Sequence, residues 1–189
     1  EKARELLRMR EQDGTFLKEE TPCYYIYELV MDGRVQTGIV ACASIDDYEN
    51  DIIRKHEKTR EDKEMDRIHH VDRCNAQTGP IFLAYRQQKA LSDLVMKTKI
   101  ETPIYQFMAE DGVRHTVWRI SETETLQRIE KAFAKVDHIY IADGHHRAAS
   151  AVKVGLKRRR ENPGYDGREE FNYFLSVLFP DSELTILPY

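Results

Sequence analysis

The sequence has no long apolar run and only three cysteines. No apolar run approaches the roughly 18 residues that a membrane-spanning helix requires, and there is no signal-peptide pattern, so we expect no membrane partner. Cys23, Cys42 and Cys74 are odd in number and lie far apart, with no C-x-x-C pair. This spacing predicts reduced thiols and a cytoplasmic location, with the cysteines as small core residues.

The sequence also has no excess of basic charge. The formal net charge is −4, and the one basic patch, residues 157–160, is short, which argues against a nucleic-acid partner. Charged residues make up 33% and hydrophobic residues 41% of the 189 residues. Because apolar segments recur along the whole chain, we expect a globular protein with a substantial core.

The order of predicted elements indicates a mixed α/β fold of the α+β class. Helices are predicted over 1–12, 88–96 and 123–136, with helical propensity across the charged stretch 46–70. The predicted strands are 22–31, 34–43, 80–85, 103–109, 113–120, 139–142 and 171–179. Two Asp-Gly turns predict β-hairpins, beside one strand–turn–helix–strand unit. We expect a single domain over 1–189, and a fragment of a longer protein, because the chain begins within a predicted helix.

The highest density of candidate functional residues lies at 138–150, with the sequence H-I-Y-I-A-D-G-H-H-R-A-A-S. This stretch predicts a buried strand, a turn at Asp143-Gly144 and a helix that begins at His145. Backbone N–H groups at a helix start have no intrahelical partner and suit an anion. Gly144 allows close approach to the backbone, and Arg147 adds a planar guanidinium fork. The alternative is an ordinary helix start capped by Asp143, with exposed histidines.

A second polar cluster lies in residues 56–67. Four basic or imidazole side chains follow the spacing i, i+4, i+7 and i+11, which places them on one stripe of a helix: His56, Arg60, Lys63 and Arg67. These groups would repel one another unless an anion or carboxylates lay between them. The alternative is a solvated charged face, which is common in such runs.

Both clusters together resemble the conserved prokaryotic family catalogued as domain of unknown function 1015. The residues that carry the resemblance are H-E-K-T-R at 56–60, continuing as E-D-K-E-M-D-R, I-A-D-G-H-H-R at 141–147, and Q-T-G-I-V at 36–40. The resemblance covers most of the chain and implies that the family's N-terminal part and C-terminus are missing from it.

A local resemblance is to the phosphate-binding turn of the ParB and sulfiredoxin superfamily. There a G-x-x-R element at a helix start holds nucleotide phosphates, and D-G-H-H-R at 143–147 is similar to it. Some members of that superfamily are kinases that phosphorylate free serine and carry a D-G-H-x-R signature. The resemblance implies a nucleotide-binding enzyme, an ATP-dependent kinase of a small hydroxyl metabolite such as free serine.

Phosphoryl transfer requires positive charge on the transferred group and a carboxylate that orients or deprotonates the nucleophile. We therefore expect ATP or ADP with Mg²⁺, and a helix over 56–67 that faces the 143–147 turn across a cleft. The candidate cofactor-binding residues are Gly144, His145, Arg147, His56, Arg60, Lys63 and Arg67. The candidate catalytic residues are Asp143, Glu57 and His146.

Two other functions remain open. A metal-dependent hydrolase would use Zn²⁺ or Mn²⁺ ligands drawn from Asp143, His145, His146 and His56. We place it below phosphoryl transfer, because adjacent histidine side chains diverge and a basic helix would repel a cation. A non-catalytic nucleotide-sensing module needs the same phosphate site but no base.

Overall fold

One mixed sheet of eight strands organises this computed structural model, which describes residues 2–57, 59 and 61–185, with the backbone only at 61–63. The strands are β1 (Tyr24–Met31), β2 (Arg34–Ser44), β3 (Ile53–Arg54), β4 (Ile81–Tyr85), β5 (Tyr105–Met108), β6 (Arg114–Ile120), β7 (Ile139–Asp143) and β8 (Tyr173–Pro180). Their order across the sheet is β3-β7-β4-β8-β2-β1-β6-β5.

Six helices accompany the sheet within the described residues. They are α1 (Lys2–Gln12), α2 (Ile45–Glu49), α3 (Glu61–Cys74), α4 (Lys89–Thr98), α5 (Thr123–Phe133) and α6 (His145–Glu161). The predicted α+β class is confirmed. None of the described helices has the length and apolar character needed to cross a bilayer.

The two predicted hairpins form where the Asp-Gly pairs stand. β1 and β2 pair antiparallel, and the turn residues Asp32 and Gly33 have φ values of 51° and 76°. A tight two-residue hairpin turn requires positive φ at both positions, which aspartate and glycine tolerate. β5 and β6 likewise pair antiparallel across the second Asp-Gly turn.

The apolar run 171–179, predicted as a strand, forms β8 in the interior of the sheet. β8 pairs antiparallel with β2 and parallel with β4, so neither of its edges is exposed. Phe174, Val177, Leu178 and Phe179 are all buried. A strand that is paired on both sides and buried on both faces has a nearly continuous apolar sequence.

α6 follows β7 directly and supplies much of the core. Its buried residues include Ala148, Ala151 and Val152, which belong to the same apolar cluster as Ile141 of β7. α3 packs along α6, where the side chain of Lys153 pairs with Glu64. The helix start at His145 is therefore held between the sheet and α3.

The basic patch at 157–160 is largely committed to ion pairs within the fold. The Lys157 ammonium lies 2.7 Å from Asp72 of α3, and the Arg159 guanidinium binds Asp46 of α2. Arg158 also reaches Asp72, at 3.4 Å. These pairs fasten the C-terminal half of α6 to its neighbours.

The charged stretch 46–70 is not one helix, and this corrects the predicted stripe. α2 ends before Asp51, whose φ of 60° breaks the helix, and β3 then pairs parallel with β7. α3 begins only at Glu61, so His56 and Glu57 lie in the segment before it. The pairing of β3 with β7 overrides the helical propensity here. The local pattern of residues cannot predict this pairing, because β7 is distant along the chain. Arg60 lies outside the described residues.

Gly155 of α6 is a close-approach position. A Cβ there would clash with the carbonyl oxygen of Phe171 and lie 2.8 Å from Cδ1 of Ile45. Although alanine is the better helix former by about 1 kcal/mol, overpacking against backbone that cannot move aside costs about 1–3 kcal/mol. We expect Gly155→Ala to lower the free energy of unfolding, measured by urea denaturation. Gly164→Ala, with nothing within 4 Å of its Cβ, is the control. Equal midpoints for the two variants would contradict the packing argument.

Candidate functional site

The turn between β7 and α6 is built by a glycine with left-handed backbone. Gly144 has φ 95° and ψ 29° and is the N-cap of α6, which makes no side-chain capping hydrogen bond. The alternative in which Asp143 caps the helix is therefore wrong. A non-glycine residue at this φ would be strained, so the turn itself favours glycine at position 144.

Arg147 is fixed in position by two neighbours. Its Nη2 donates to Oδ2 of Asp143 at 2.7 Å, and its Nη1 donates to the carbonyl oxygen of Pro80, just before β4. A Cβ at Gly144 would lie 3.0 Å from Nη2, so the guanidinium packs directly over the glycine. The fork is thus oriented by the protein before any ligand arrives.

His56 and Glu57 reach the start of α6 from the segment before α3. Oε2 of Glu57 lies 3.5 Å from Nδ1 of His145. The rings of His56 and His145 meet edge to face, with centroids 4.4 Å apart. The His145 side chain is 2% exposed, whereas that of Glu57 is 60% exposed. A buried imidazole therefore has a solvent-facing carboxylate beside it.

A cavity of about 580 Å³ joins the two clusters. Its lining residues are Glu57, Asp66, Arg67, Asp143, Gly144, His145, His146 and Arg147. Arg67 and Arg147 also line a second cavity of about 330 Å³, together with Gln77, Thr78 and other residues. Arg67 and Arg147 thus border both cavities, and the second cavity extends along α3 and α6.

The structure brings together most of the residues that the sequence suggested. His56 touches the site through the His145 ring, and His146 lines the cavity with its Nδ1 buried and without a hydrogen-bond partner among the described residues. Arg60 and the side chain of Lys63 lie outside the described residues. The roles assigned to these residues stay predictions.

Sequence reasoning missed two contributors. Asp66 lines the cavity, and the carbonyl oxygen of Pro80 holds Arg147. Asp66 stands inside the E-D-K-E-M-D-R motif beside Arg67, but the presumed basic stripe gave it no role. No sequence signal points to Pro80, because its contact depends on β4 lying beside β7 in the sheet.

Burial governs the protonation of His145. Burial lowers the pKa of His145 below its ordinary value, and the neighbouring His56 lowers it further, while Glu57 and Asp143 oppose this shift. The neutral imidazole is therefore favoured, with a lone pair on one ring nitrogen.

Three side chains could hold a metal ion. One ligand atom from each of His56, Glu57 and His145 lies within 4.8 Å of the others. This set differs from the ligands considered from the sequence, because Glu57 takes the place of Asp143 and His146. Asp143 is instead bound to Arg147.

Comparison with known proteins identifies the family. The model of a family described as protein of unknown function (DUF1015) matches residues 1–189, so the chain belongs to that family. No curated protein matches the chain, and no solved structure does. The local resemblance to the ParB and sulfiredoxin superfamily stays a prediction.

The His145 imidazole offers a direct test of the site's electrostatics. In chelator-treated protein, an NMR titration of the ring nitrogens should give a midpoint below the ordinary value of about 6.5, because burial disfavours the charged form. The unfolded chain takes up the proton more readily. The contribution of His145 to the free energy of unfolding should therefore be fully present above the ordinary value and be lost as the pH falls through the lowered midpoint. A midpoint at or above the ordinary value would show that Glu57 outweighs burial.

Proposed function

We propose that this member of the DUF1015 family binds a phosphate-bearing nucleotide, ATP or ADP with Mg²⁺, and transfers a phosphoryl group to a small hydroxyl metabolite such as free serine. The observation that carries the proposal is the cavity at the start of α6. It combines the first turn of a helix, which suits an anion, with two guanidiniums and three carboxylates: Arg67, Arg147, Glu57, Asp66 and Asp143.

The phosphate-binding part rests on Gly144 and the arginines. The left-handed glycine lets the Arg147 guanidinium pack against the first turn of α6, where the helix dipole is positive and favours an anion. Arg147, already oriented by Asp143, presents donors that suit phosphate oxygens. Arg67 adds a second cation from α3. The neighbouring cavity beside Thr78 provides space for a ligand larger than its phosphates.

The catalytic part rests on the carboxylates. Phosphoryl transfer is accelerated mainly by positioning and by charge neutralisation, and a carboxylate orients or deprotonates the attacking hydroxyl. Glu57 and Asp143 both line the cavity. His146, on the first turn of α6, also lines it. We assign the base to one of the two carboxylates.

A second candidate function, a metal-dependent hydrolase, is favoured by one specific observation. His56, Glu57 and His145 supply three ligand atoms within 4.8 Å of one another. Three protein ligands with an open position are typical of catalytic metal sites, where the metal activates a water. Hydrolysis of a phosphate ester without any acceptor would favour this candidate over a kinase.

Binding by the arginines is tested with Arg67→Ala and Arg147→Lys. Charge-assisted hydrogen bonds to phosphate contribute about 1.5–3 kcal/mol, so we expect each variant to bind ATP with Mg²⁺ at least about tenfold more weakly by calorimetry. Arg114→Ala, on β6 at the far side of the sheet, is the control and should bind normally. Unchanged affinity in both site variants would rule out phosphate binding by Arg67 and Arg147.

Turnover is tested by incubating the protein with ATP or ADP, Mg²⁺ and free serine and detecting phosphoserine by ³¹P NMR. Loss of a general base costs about 10²–10⁴-fold in rate, so we expect Glu57→Gln or Asp143→Asn to show such a loss. Asp137→Asn, at the opposite end of β7, is the control. Tight ATP binding without turnover on serine or other small hydroxyl compounds would favour the sensing module instead.

A further inference from the structure

We infer that His56, Glu57 and His145 bind one divalent transition-metal ion at the mouth of the cavity. The inference rests on the proposed function only for the ion's role there. Where the ion binds follows from the three side chains themselves, one on the first turn of α6 and two in the segment before α3.

The distance between one pair of the ligand atoms fits a shared metal better than a hydrogen bond. Nδ1 of His145 and Oε2 of Glu57 are 3.5 Å apart, which is longer than an ordinary hydrogen bond. Two ligands bonded to one ion at about 2.1 Å in tetrahedral geometry lie roughly 3.4 Å from each other. The His56 ring stands edge to face against His145, so its ligand atom is part of the same group.

The ring nitrogens of His145 are placed differently. Its side chain is 2% exposed, and Nδ1 is the nitrogen that faces Glu57. Nε2 is buried and has no hydrogen-bond partner among the described residues. In the neutral imidazole, a proton on Nε2 leaves the lone pair on Nδ1, which is the atom that a metal beside Glu57 would bind.

The donor set selects the class of ion. Two imidazoles and one carboxylate suit zinc, manganese, iron, cobalt or nickel, whereas magnesium and calcium prefer oxygen ligands. Glu57 and His145 both line the cavity, so the open coordination positions would face it. A phosphate oxygen or a water could occupy those positions, which places the ion where a transferred phosphoryl group would lie.

The charges around the site tolerate a cation. The sequence had suggested that a basic helix would repel one, but the described cavity lining has three carboxylates against two guanidiniums: Glu57, Asp66 and Asp143 against Arg67 and Arg147. Arg147 is already neutralised by Asp143 at 2.7 Å. The remaining carboxylates leave the lining with a formal excess of negative charge before the ion binds.

The test uses the chain without a polyhistidine tag, stripped with chelator and titrated with Zn²⁺, Mn²⁺, Co²⁺ or Mg²⁺. We expect one transition-metal ion per chain, bound at least tenfold more tightly than Mg²⁺, and visible d–d absorption with Co²⁺. His56→Ala, Glu57→Gln and His145→Ala should each weaken binding at least tenfold. His69→Ala, which alters an exposed histidine of α3, is the matched control and should bind normally.

The outcomes separate this inference from the proposed function. Because His56 and Glu57 are exposed, their variants should fold even if His145→Ala does not. Full metal binding in both the His56→Ala and Glu57→Gln variants, or no binding by the wild-type chain, overturns the inference, whatever the protein does with ATP. Metal binding that survives Arg67→Ala, in a protein that binds no nucleotide, supports the metal site while the proposed function fails.

Discussion

The site depends on the way α3 is fastened to α6. The Glu64 side chain is 4% exposed and pairs with Lys153, while the Glu64 carbonyl oxygen accepts from Oγ of Ser150 at 3.2 Å. Burial raises the pKa of the Glu64 carboxyl, but the bond from Lys153 helps to bring that pKa below its ordinary value. Removing Lys153, whose side chain is half exposed, would leave the buried Glu64 carboxylate without its compensating charge, so the pair helps to fix how the helices align. The same alignment brings His56 and Glu57 to the start of α6.

Arg147 links the scaffold to the site's chemistry. It joins Asp143, at the end of β7, to the Pro80 carbonyl before β4, and it lies over Gly144. The fork is thereby oriented without a ligand, which reduces the ordering that binding would otherwise require. Because Asp143 balances its charge, the cavity can present donors to an anion and still accept a cation beside Glu57. This combination separates the site from a simple basic patch.

Local chemistry accounts for the parts of the fold and site that were predicted. The Asp32-Gly33 hairpin needs positive φ at both turn positions, and D-G is one of the few dipeptides that tolerate it. The turn at 143–147 was predicted for a similar reason, because glycine, histidines and arginine at a helix start indicate an anion site. The prediction of helical structure across 46–70 was wrong in part. Ile53 pairs with Ile139, far along the chain, and this contact overrides the local helical propensity.

The sequence by itself determined the strand, the glycine turn and the helix start at 143–147, the two Asp-Gly hairpins, the α+β class and the family. Each of these depends on neighbouring residues or on motifs read along the chain. Only the tertiary structure decided that Glu57 meets His145, that Asp66 joins the cavity and that Arg147 is held by Pro80. Those contacts arise because β7 is paired between β3 and β4, and because α3 lies along α6. Such long-range pairings depend on burial and hydrogen bonding summed over the whole sheet, which no local pattern of residues records.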